Sequence, residues 1–537
     1  MKKLVSRFMA VLMAMTMILS MSMTAFAAEA PKGTLTVNNT VAGKTLDLYQ
    51  IFTATKNGDN VAYTLNSAYE GFFKNNTRIP GSESLTGEAL SEKAYEYVKT
   101  QVGTDGKSGT GFAKEILGWI LENATTVATT HTTATTTAGS TVISGLEYGY
   151  YVVYPLGATD TSAAPGEQDY TSVASLVSVT GDTSINMKSN YPTVVKKVND
   201  KNADDVNIGD TVTYTLTSKV PDMTGYTSYV FNFKDTLSAG LTFKEITSVK
   251  VGETTITKVD AGQEADNTYT LTQDGQNITI TMNNFLASNK DNTGKEIKVT
   301  YTATLNKDAV TGFDANKNSA TVEYSNKPGT DNKGESEPSI VDVHTFNFTI
   351  FKYYLKDETK TGLANAEFEL YKANEAGDAA DTNAKINIVK VKDGEYRQAT
   401  PEEAAAEGFK SDVIVSGTDG KVLVKGLDAG TYYLRETKAP EGYNKLLSDI
   451  KVEITATYGT DGKLASYKVD YTYNGVKKDG DAITNKDNSP EVAVENKTGA
   501  QLPSTGSKGA LMVTLAGIVL FGALTASKAF GKKKANN

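Results

Sequence analysis

Six polar residues interrupt the apolar faces of predicted β-strands, and their types could form a covalent cross-link. Because side chains alternate between the two faces of a strand, residues two positions apart share a face. By this rule each of the six lies on a face that is otherwise apolar. They form two sets of one lysine, one acid and one asparagine: Lys196, Asp235 and Asn318, then Lys352, Glu436 and Asn496.

The faces of the two lysines are assigned from their apolar neighbours. Lys196 alternates with Val194 and Val198, and Lys352 continues an alternation of phenylalanine and isoleucine. Lys197 is adjacent to Lys196 but lies on the opposite face of the predicted strand. The two sets have the same chain order, lysine first and asparagine last, which places a lysine in the first strand and an asparagine in the last strand of each predicted sandwich.

Two kinds of chemistry fit such a set. One is a buried lysine–carboxylate ion pair with a hydrogen-bonding asparagine, which stabilises a fold only weakly. The other is an isopeptide bond, formed when the lysine amine attacks the asparagine carboxamide and ammonia leaves. Burial favours the neutral, nucleophilic amine, and a buried acid in its uncharged form could polarise the carbonyl and shuttle protons. Strand alternation alone leaves both interpretations open, and neither needs a cofactor.

Composition excludes several functional classes. At 537 residues the chain should contain several domains, and 39% hydrophobic with 22% charged residues is an ordinary globular balance. A net charge of −9 argues against a nucleic-acid partner. The absence of cysteine and the presence of only two histidines exclude a thiol nucleophile, a disulfide framework and a Cys/His zinc site. No phosphate-binding loop or nucleophile elbow is found, so a turnover enzyme is not expected.

The first residues have the organisation of a secretory signal peptide. Lys2, Lys3 and Arg7 precede an apolar run over residues 8–23, and a small-x-small site follows. This pattern predicts a signal peptide over 1–27, cleaved between Ala27 and Ala28.

The other end carries a short motif, an apolar stretch at 510–526 and a lysine-rich tail. The motif LPSTG consists of Leu502, Pro503, Ser504, Thr505 and Gly506. The stretch is near the lower limit for a membrane-spanning helix, and the lysines would remain on the cytoplasmic side, so the tail alone fits a plain membrane anchor. With LPSTG, residues 499–537 resemble a cell-wall sorting signal. The resemblance implies that a sortase cleaves after Thr505 and holds it as an acyl-enzyme until an amine attacks.

Between the ends, three modules are predicted. The first, 28–188, combines strands with two helical segments, one of which places Phe112, Ile116 and Ile120 on one face. The threonine-rich stretch 125–141 has no periodicity and is predicted to be a loop. Modules 189–341 and 342–498 show repeated alternation separated by turn residues, which predicts antiparallel β-sandwiches of the immunoglobulin-like type. The predicted fold class is therefore mainly β: tandem immunoglobulin-like sandwiches, with some helix in the first domain.

Several motifs resemble the backbone pilins of Gram-positive bacteria. YYLRETKAPEGY at 432–443 resembles the pilin E-box, and TGLANAEFELYK upstream extends the likeness to a Cna-B-type domain. IGDTVTYTLTSKVP, FNFKDTLSAGLTF and KNSATVEYSN resemble the isopeptide-forming middle domain of the same pilins. The resemblance implies two bonds, Lys196–Asn318 promoted by Asp235 and Lys352–Asn496 promoted by Glu436. It is loosest in the first module, where no equivalent trio is apparent.

The same family joins its subunits through a lysine in a motif such as Tyr-Pro-Lys-Asn, between the first two domains. This chain departs from that motif, because no lysine directly follows Tyr191 and Pro192. Lys188 lies eight residues before Lys196, a spacing similar to that in the relatives, and is expected to be the linking lysine. The alternative is that Lys188 is an ordinary linker lysine.

The resemblance implies a structural subunit of a covalently polymerised pilus, secreted and attached to the cell wall. Its expected partners are identical subunits, a pilin-specific and a housekeeping sortase, minor pilins, peptidoglycan and host surface ligands. A monomeric wall-anchored adhesin or a minor pilin is the alternative, and polymer formation separates the two. A secreted hydrolase would need a concave pocket with two coupled, exposed acids.

Overall fold

The computed structural model describes residues 30–103, 109–158, 173–187 and 191–498. Within these ranges the strands form six sheets, which follow one another along the chain in three pairs. This architecture confirms the predicted mainly β fold with helix in the first region.

The first region contains eight described strands and three α-helices. Their bounds are β1 (Lys32–Thr40), β2 (Thr45–Asn57), β3 (Asn60–Leu65), α1 (Glu70–Phe73), α2 (Gly87–Val102), α3 (Gly109–Glu122), β4 (His131–Thr135), β5 (Gly139–Glu147), β6 (Gly149–Pro155), β7 (Ser175–Val179) and β8 (Asp182–Asn186). One sheet has the order β5-β1-β8, and the other has the order β3-β2-β6-β7 with β4 also paired to β2. Phe112, Ile116 and Ile120 are all buried on α3, as predicted, in a core that includes side chains of β2.

The threonine-rich stretch 125–141 is not a loop throughout, and that prediction was wrong. Its centre forms β4, which pairs antiparallel with β2 and places Thr132 opposite Leu48. Threonine is β-branched and suits a strand, even where alternation of apolar and polar residues is missing. His131 stacks on Tyr49 and its Nε2 lies 3.0 Å from Asp47 Oδ1, so the start of the strand is held by side chains as well.

The middle region is a sandwich of a five-stranded and an eight-stranded sheet. Its elements are β9 (Val195–Val198), β10 (Ala203–Asp205), β11 (Thr211–Lys219), β12 (Phe231–Leu237), β13 (Leu241–Val251), β14 (Thr254–Thr255), β15 (Thr257–Lys258), β16 (Thr268–Asp274), β17 (Asn277–Met282), α4 (Phe285–Asn289), β18 (Glu296–Leu305), β19 (Asn316–Ser325), β20 (Lys333–Glu335) and β21 (Ser339–His344). The five-stranded sheet has the order β14-β13-β18-β11-β9, and the larger sheet runs β10-β21-β19-β12-β17-β16-β15, with β20 on β19. The predicted domain boundary at residue 341 falls inside β21.

The last region is a second sandwich. Its elements are β22 (Phe346–Lys356), β23 (Thr359–Gly362), β24 (Glu367–Ala373), β25 (Ala380–Lys385), β26 (Ile388–Lys392), β27 (Glu395–Gln398), α5 (Pro401–Ala404), β28 (Ile414–Val415), β29 (Lys421–Leu427), β30 (Gly430–Lys438), β31 (Ile450–Tyr458), β32 (Leu464–Tyr473), β33 (Val476–Lys478) and β34 (Glu491–Glu495). One sheet has the order β23-β22-β29-β27-β26 with β34 on β22, and the other has the order β25-β24-β30-β31-β32-β33 with β28 on β24.

The two sandwiches are joined by a short connection and by polar contacts. A single residue, Thr345, separates β21 from β22. Asp205 accepts hydrogen bonds from the backbone N–H of Ala429 at 2.9 Å and from the Tyr458 hydroxyl at 2.5 Å. Because these contacts lie next to the connection, the end of one sandwich is fixed against the start of the next.

Several predicted features lie outside the described residues. They are the signal peptide with Ala27 and Ala28, the lysine Lys188, and the sorting signal 499–537 with Leu502, Pro503, Ser504, Thr505 and Gly506. In the part of the chain that is described, no helix is both long and apolar enough to cross a membrane. The predicted membrane-spanning stretch 510–526 is not in that part.

A close backbone contact positions Lys352, and it predicts the effect of a glycine substitution. The Lys352 N–H donates to the Gly420 carbonyl at 2.8 Å, and a Cβ at Gly420 would lie 2.2 Å from the Lys352 carbonyl oxygen. Gly420 also has a φ of +79°. The left-handed conformation costs alanine about 1 to 2 kcal/mol, and relief of the clash adds about 1 to 3 kcal/mol. Gly420→Ala should therefore lower the free energy of unfolding of the last sandwich by about 2 to 5 kcal/mol in urea titrations.

Gly394→Ala is the matched control. Gly394 has a φ of +75° in the same sandwich, but a Cβ there meets no atom within 4 Å. It should show only the conformational cost of about 1 to 2 kcal/mol. If both variants lost the same free energy of unfolding, the close approach of position 420 to the Lys352 carbonyl oxygen would add no strain.

Candidate functional site

In the middle sandwich the predicted trio comes together across the core. Lys196 lies on β9, at the edge of the five-stranded sheet, opposite Leu216 of β11. Asp235 and Asn318 lie on β12 and β19, which are neighbours in the facing sheet. The lysine side chain therefore crosses the space between the two sheets and contacts Asp235.

Hydrogen bonds connect the three residues through a fourth. Lys196 Nζ donates to Asp235 Oδ2 and, at 2.7 Å, to the hydroxyl of Tyr301 on β18. That hydroxyl donates to Asp235 Oδ2 at 2.8 Å and accepts from Asn318 Nδ2 at 2.7 Å. Lys196, Asp235 and Asn318 are no more than 2% exposed. Strand alternation in the sequence does not distinguish Tyr301 from an ordinary core residue. The only signal is that Tyr301 shares a buried face with Val299 and Ala303, where its hydroxyl needs a hydrogen-bond partner.

Burial changes the protonation of the lysine. It lowers the pKa of Lys196 to about 8 from the ordinary 10.5, while the neighbouring Asp235 acts in the opposite direction. Because its pKa is lowered, a larger fraction of Lys196 carries a neutral, nucleophilic amine at neutral pH than would be the case for an exposed lysine.

Two oxygens of this cluster have no hydrogen-bond donor among the described residues, namely Asp235 Oδ1 and Asn318 Oδ1. Each buried polar atom without a partner costs about 1 to 3 kcal/mol. A simple ion pair with a capping asparagine would be expected to satisfy these atoms.

In the last sandwich the trio has a different arrangement. Lys352 lies on β22, and β34 pairs with β22 in parallel, with Val494 opposite Lys352. Asn496 directly follows the last residue of β34. Glu436 reaches the pair from β30 in the facing sheet. Lysine and asparagine therefore lie side by side on one sheet, whereas in the middle sandwich they face each other.

The contacts in the last sandwich are direct. Lys352 Nζ donates to Asn496 Oδ1 and lies 3.0 Å from Glu436 Oε1. Asn496 Nδ2 donates to the same Oε1 at 3.2 Å, and the Leu446 N–H donates to Oε2 at 2.7 Å. All three residues of the trio are buried. Burial lowers the pKa of Lys352 to about 8, and Glu436 acts in the opposite direction.

The structure corrects one part of the predicted placement. Asn318 is not in the last strand of its sandwich, because β20 and β21 follow β19 in the same sheet. Asn496 lies just after the last strand and not within it. Lys197 points away from the cluster and donates to Asn202 Oδ1 at 2.6 Å. Among the described residues of the first region, no lysine is buried.

Comparisons with known protein families match both sandwiches. Residues 208–328 match the family of Gram-positive pilin backbone subunit 2, Cna-B-like domain. Residues 349–466 match the SpaA family, a prealbumin-like fold domain. These matches confirm the resemblance to backbone pilins of Gram-positive bacteria, and they agree with the two-sheet architecture described above.

Two surface proteins are similar in sequence. Fimbrial subunit type 2 of Actinomyces naeslundii is 28% identical over 347 residues, which cover 61% of this chain and 58% of that protein. The trypsin-resistant surface T6 protein of Streptococcus pyogenes serotype M6 is 26% identical over 314 residues, covering 52% of this chain and 48% of that protein. The chain thus spans about half the length of these curated relatives.

Solved structures similar to this chain include two pilins. The T6 backbone pilin of serotype M6 Streptococcus pyogenes, described as modular with three domains, aligns with a TM-score of 0.43 and 18% identity, covering 88% of this chain and 94% of that chain. The major pilin SpaA of Corynebacterium diphtheriae aligns with a TM-score of 0.42 and 15% identity, covering 87% and 100%.

The lowered pKa of Lys196 predicts how stability depends on pH when its asparagine is absent. In the variant Asn318→Ala the folded lysine should lose its proton near pH 8, while the unfolded lysine keeps it to about 10.5. The unfolded state then binds more protons between these values, so the free energy of unfolding rises with pH. From pH 8 to 9.5 the expected gain is about 1 to 2 kcal/mol, measured by urea titration.

The double variant Asn318→Ala/Lys196→Met is the control, because it removes the titrating amine and leaves all other groups in place. The gain should be absent from it. A pH profile identical in the two variants would mean that Lys196 keeps an ordinary pKa in the fold.

Proposed function

We propose that this chain is the backbone subunit of a covalently assembled pilus, and that its two sandwiches each form a Lys–Asn isopeptide bond. The observation that carries the proposal is the repeated buried trio. Two clusters with different strand arrangements each bring a lysine amine, a carboxamide and an acid within hydrogen-bonding reach of one another or of a shared hydroxyl. An ion pair needs no asparagine, and a buried ion pair stabilises a fold only weakly.

The chemistry of the last sandwich needs only the three residues. One proton of the Lys352 ammonium group can move to Glu436, which gives a neutral amine and a carboxylic acid without proton exchange with solvent. The amine attacks Cγ of Asn496, and Glu436 passes its proton to Nδ2 while it takes a second proton from Nζ. The C–N bond breaks, ammonia leaves, an amide remains and the acid ends protonated. Glu436 Oε1 contacts both nitrogens, which suits this exchange.

The two bonds would enclose different parts of their sandwiches. Lys352 and Asn496 are 144 positions apart, so their bond closes a loop around almost the whole last sandwich. The bond from Lys196 to Asn318 would leave β20 and β21 outside its loop. β21 is held instead by antiparallel pairing to β19 and parallel pairing to β10. A pulling force would therefore be carried by the two isopeptide bonds, except across the segment between Asn318 and Lys352, which neither bond encloses.

The polymer itself would be built by a sortase that joins Thr505 of one subunit to Lys188 of the next. Support comes from the order of the LPSTG motif, apolar stretch and basic tail, and from the spacing between Lys188 and Lys196. The implied partners are identical subunits, minor pilins, a pilin-specific sortase and a housekeeping sortase that attaches the polymer to peptidoglycan. A monomeric wall-anchored adhesin or minor pilin is the second candidate, since it would share the sandwiches and the sorting signal.

Intact mass and peptide mapping of the region 28–505 test the bonds. The expected mass is lower than the sequence mass by two ammonias, with cross-linked peptides joining Lys196 to Asn318 and Lys352 to Asn496. Lys196→Ala should lose one of the two deficits and Lys352→Ala the other, because each removes one nucleophile. Lys197→Ala is the matched control and should keep both. The full sequence mass in the natural chain would leave only buried ion pairs.

Polymer formation tests the assembly. Lys188→Ala should abolish the ladder of high-mass species extracted from the cell wall, because the acyl-enzyme at Thr505 would lack its acceptor amine. Lys317→Ala removes an exposed lysine of the middle sandwich and should leave the ladder unchanged. A natural chain found only as a wall-linked monomer would favour the adhesin, and a ladder that persists in Lys188→Ala would assign the link to another lysine.

A further inference from the structure

The hydroxyl of Tyr301 occupies the centre of the middle cluster. It lies 2.7 Å from Lys196 Nζ, 2.8 Å from Asp235 Oδ2 and 2.7 Å from Asn318 Nδ2. These atoms are the attacking nitrogen, the acid and the leaving nitrogen of the proposed reaction. Tyr301 thus touches every group whose proton must move.

The last sandwich shows why the middle one needs such a group. There, a single oxygen of Glu436 contacts both the attacking and the leaving nitrogen, at 3.0 and 3.2 Å. The acid of the middle sandwich is an aspartate, which is shorter by one methylene. Within the described residues no hydrogen bond joins Asp235 to Asn318, because Asp235 Oδ1 has no partner and Oδ2 bonds Lys196 and Tyr301. The Tyr301 hydroxyl lies between the acid and the leaving nitrogen and is hydrogen-bonded to both.

We propose that Tyr301 is a catalytic residue for bond formation in the middle sandwich, carrying a proton from Asp235 to the leaving nitrogen of Asn318. The inference rests on the proposed isopeptide chemistry. One Nζ proton moves to Asp235, and the neutral amine attacks Cγ of Asn318. As the Cγ–Nδ2 bond breaks, Tyr301 gives its hydroxyl proton to Nδ2 and takes one from Asp235, which accepts the second Nζ proton. Ammonia leaves, the amide remains, Tyr301 is regenerated and Asp235 ends protonated.

The surroundings of Tyr301 suit this role. Its ring stacks on Tyr214 with 5.1 Å between centroids, and the two residues are directly paired across β18 and β11. Both lysine-facing rings lie about 5 Å from Lys196 Nζ, at 5.0 Å for Tyr214 and 5.2 Å for Tyr301. Burial raises the pKa of Tyr301 well above its ordinary value, so the hydroxyl retains its proton at neutral pH. The hydroxyl is therefore held in place as a proton donor.

Tyr301→Phe tests the proposal because it keeps the ring and removes only the hydroxyl. The full chain is synthesised in a cell-free system, quenched in acidic denaturant at intervals and analysed by mass and peptide mapping. A general acid contributes about 10² to 10⁴ in rate, so bond formation between Lys196 and Asn318 should slow by about a hundredfold or more. The bond between Lys352 and Asn496 is the internal control and should form at its natural rate.

Tyr324→Phe is the matched control, since it removes a buried hydroxyl from β19 of the same sandwich, away from the trio. It should leave both bonds unchanged. A middle bond that forms at the natural rate in Tyr301→Phe would overturn the role of Tyr301 while leaving the proposed cross-links intact. A natural chain that never forms the middle bond would overturn the proposed function itself, and the role of Tyr301 with it.

If Tyr301→Phe does not fold, as judged by circular dichroism and protease resistance, a second substitution applies. Site-specific 3,5-difluorotyrosine at position 301 keeps the shape and the hydroxyl but makes the phenol more acidic. The rate of the middle bond should then change and its pH dependence should shift towards lower pH. An unchanged rate and profile would contradict proton transfer through this hydroxyl.

Discussion

Burial of a lysine amine in the apolar core of each sandwich is a constraint on the side chains that can surround it. Lys196 and Lys352 are each almost fully buried, and burial lowers the pKa of both to about 8. A charged amine in such a place needs an acid within reach, and a neutral amine there needs hydrogen-bond partners. Each sandwich supplies both, and the chain has no cysteine that could form a covalent brace in their place.

The two sandwiches meet this constraint with different strand arrangements. In the middle sandwich the lysine crosses between sheets to an aspartate and an asparagine on adjacent strands. In the last sandwich the lysine and asparagine lie on parallel neighbours, and a glutamate comes from the facing sheet. The acids also make different contacts. Glu436 Oε1 contacts both nitrogens directly, whereas the Tyr301 hydroxyl lies between Asp235 and the asparagine nitrogen. The common feature is therefore the set of groups and their burial, and not a common backbone geometry.

Strand alternation was sufficient to predict the fold class and to select all six residues of the two clusters, because a polar residue on an apolar face is conspicuous. The same rule could not select Tyr301, since a tyrosine on a buried face is the expected residue of a β-strand. The placement of Asn318 in a last strand was wrong because the turn-rich segment after β19 conceals the short β20 and the return strand β21. The β4 strand in the threonine-rich stretch is not visible in the sequence, because it lacks apolar alternation and depends on pairing with β2.

In the proposed subunit, covalent links replace hydrogen-bonded strands along the path of force. Single-molecule extension tests it directly, with the cysteine-free chain attached through Thr193→Cys and Thr498→Cys at either end of the two sandwiches. The natural chain should release at most the segment between Asn318 and Lys352, roughly 12 nm, before the tether breaks. Asn496→Ala should release roughly 50 nm more, from the opened last sandwich. If the natural chain released the length of a whole sandwich, the force would not be carried by covalent links.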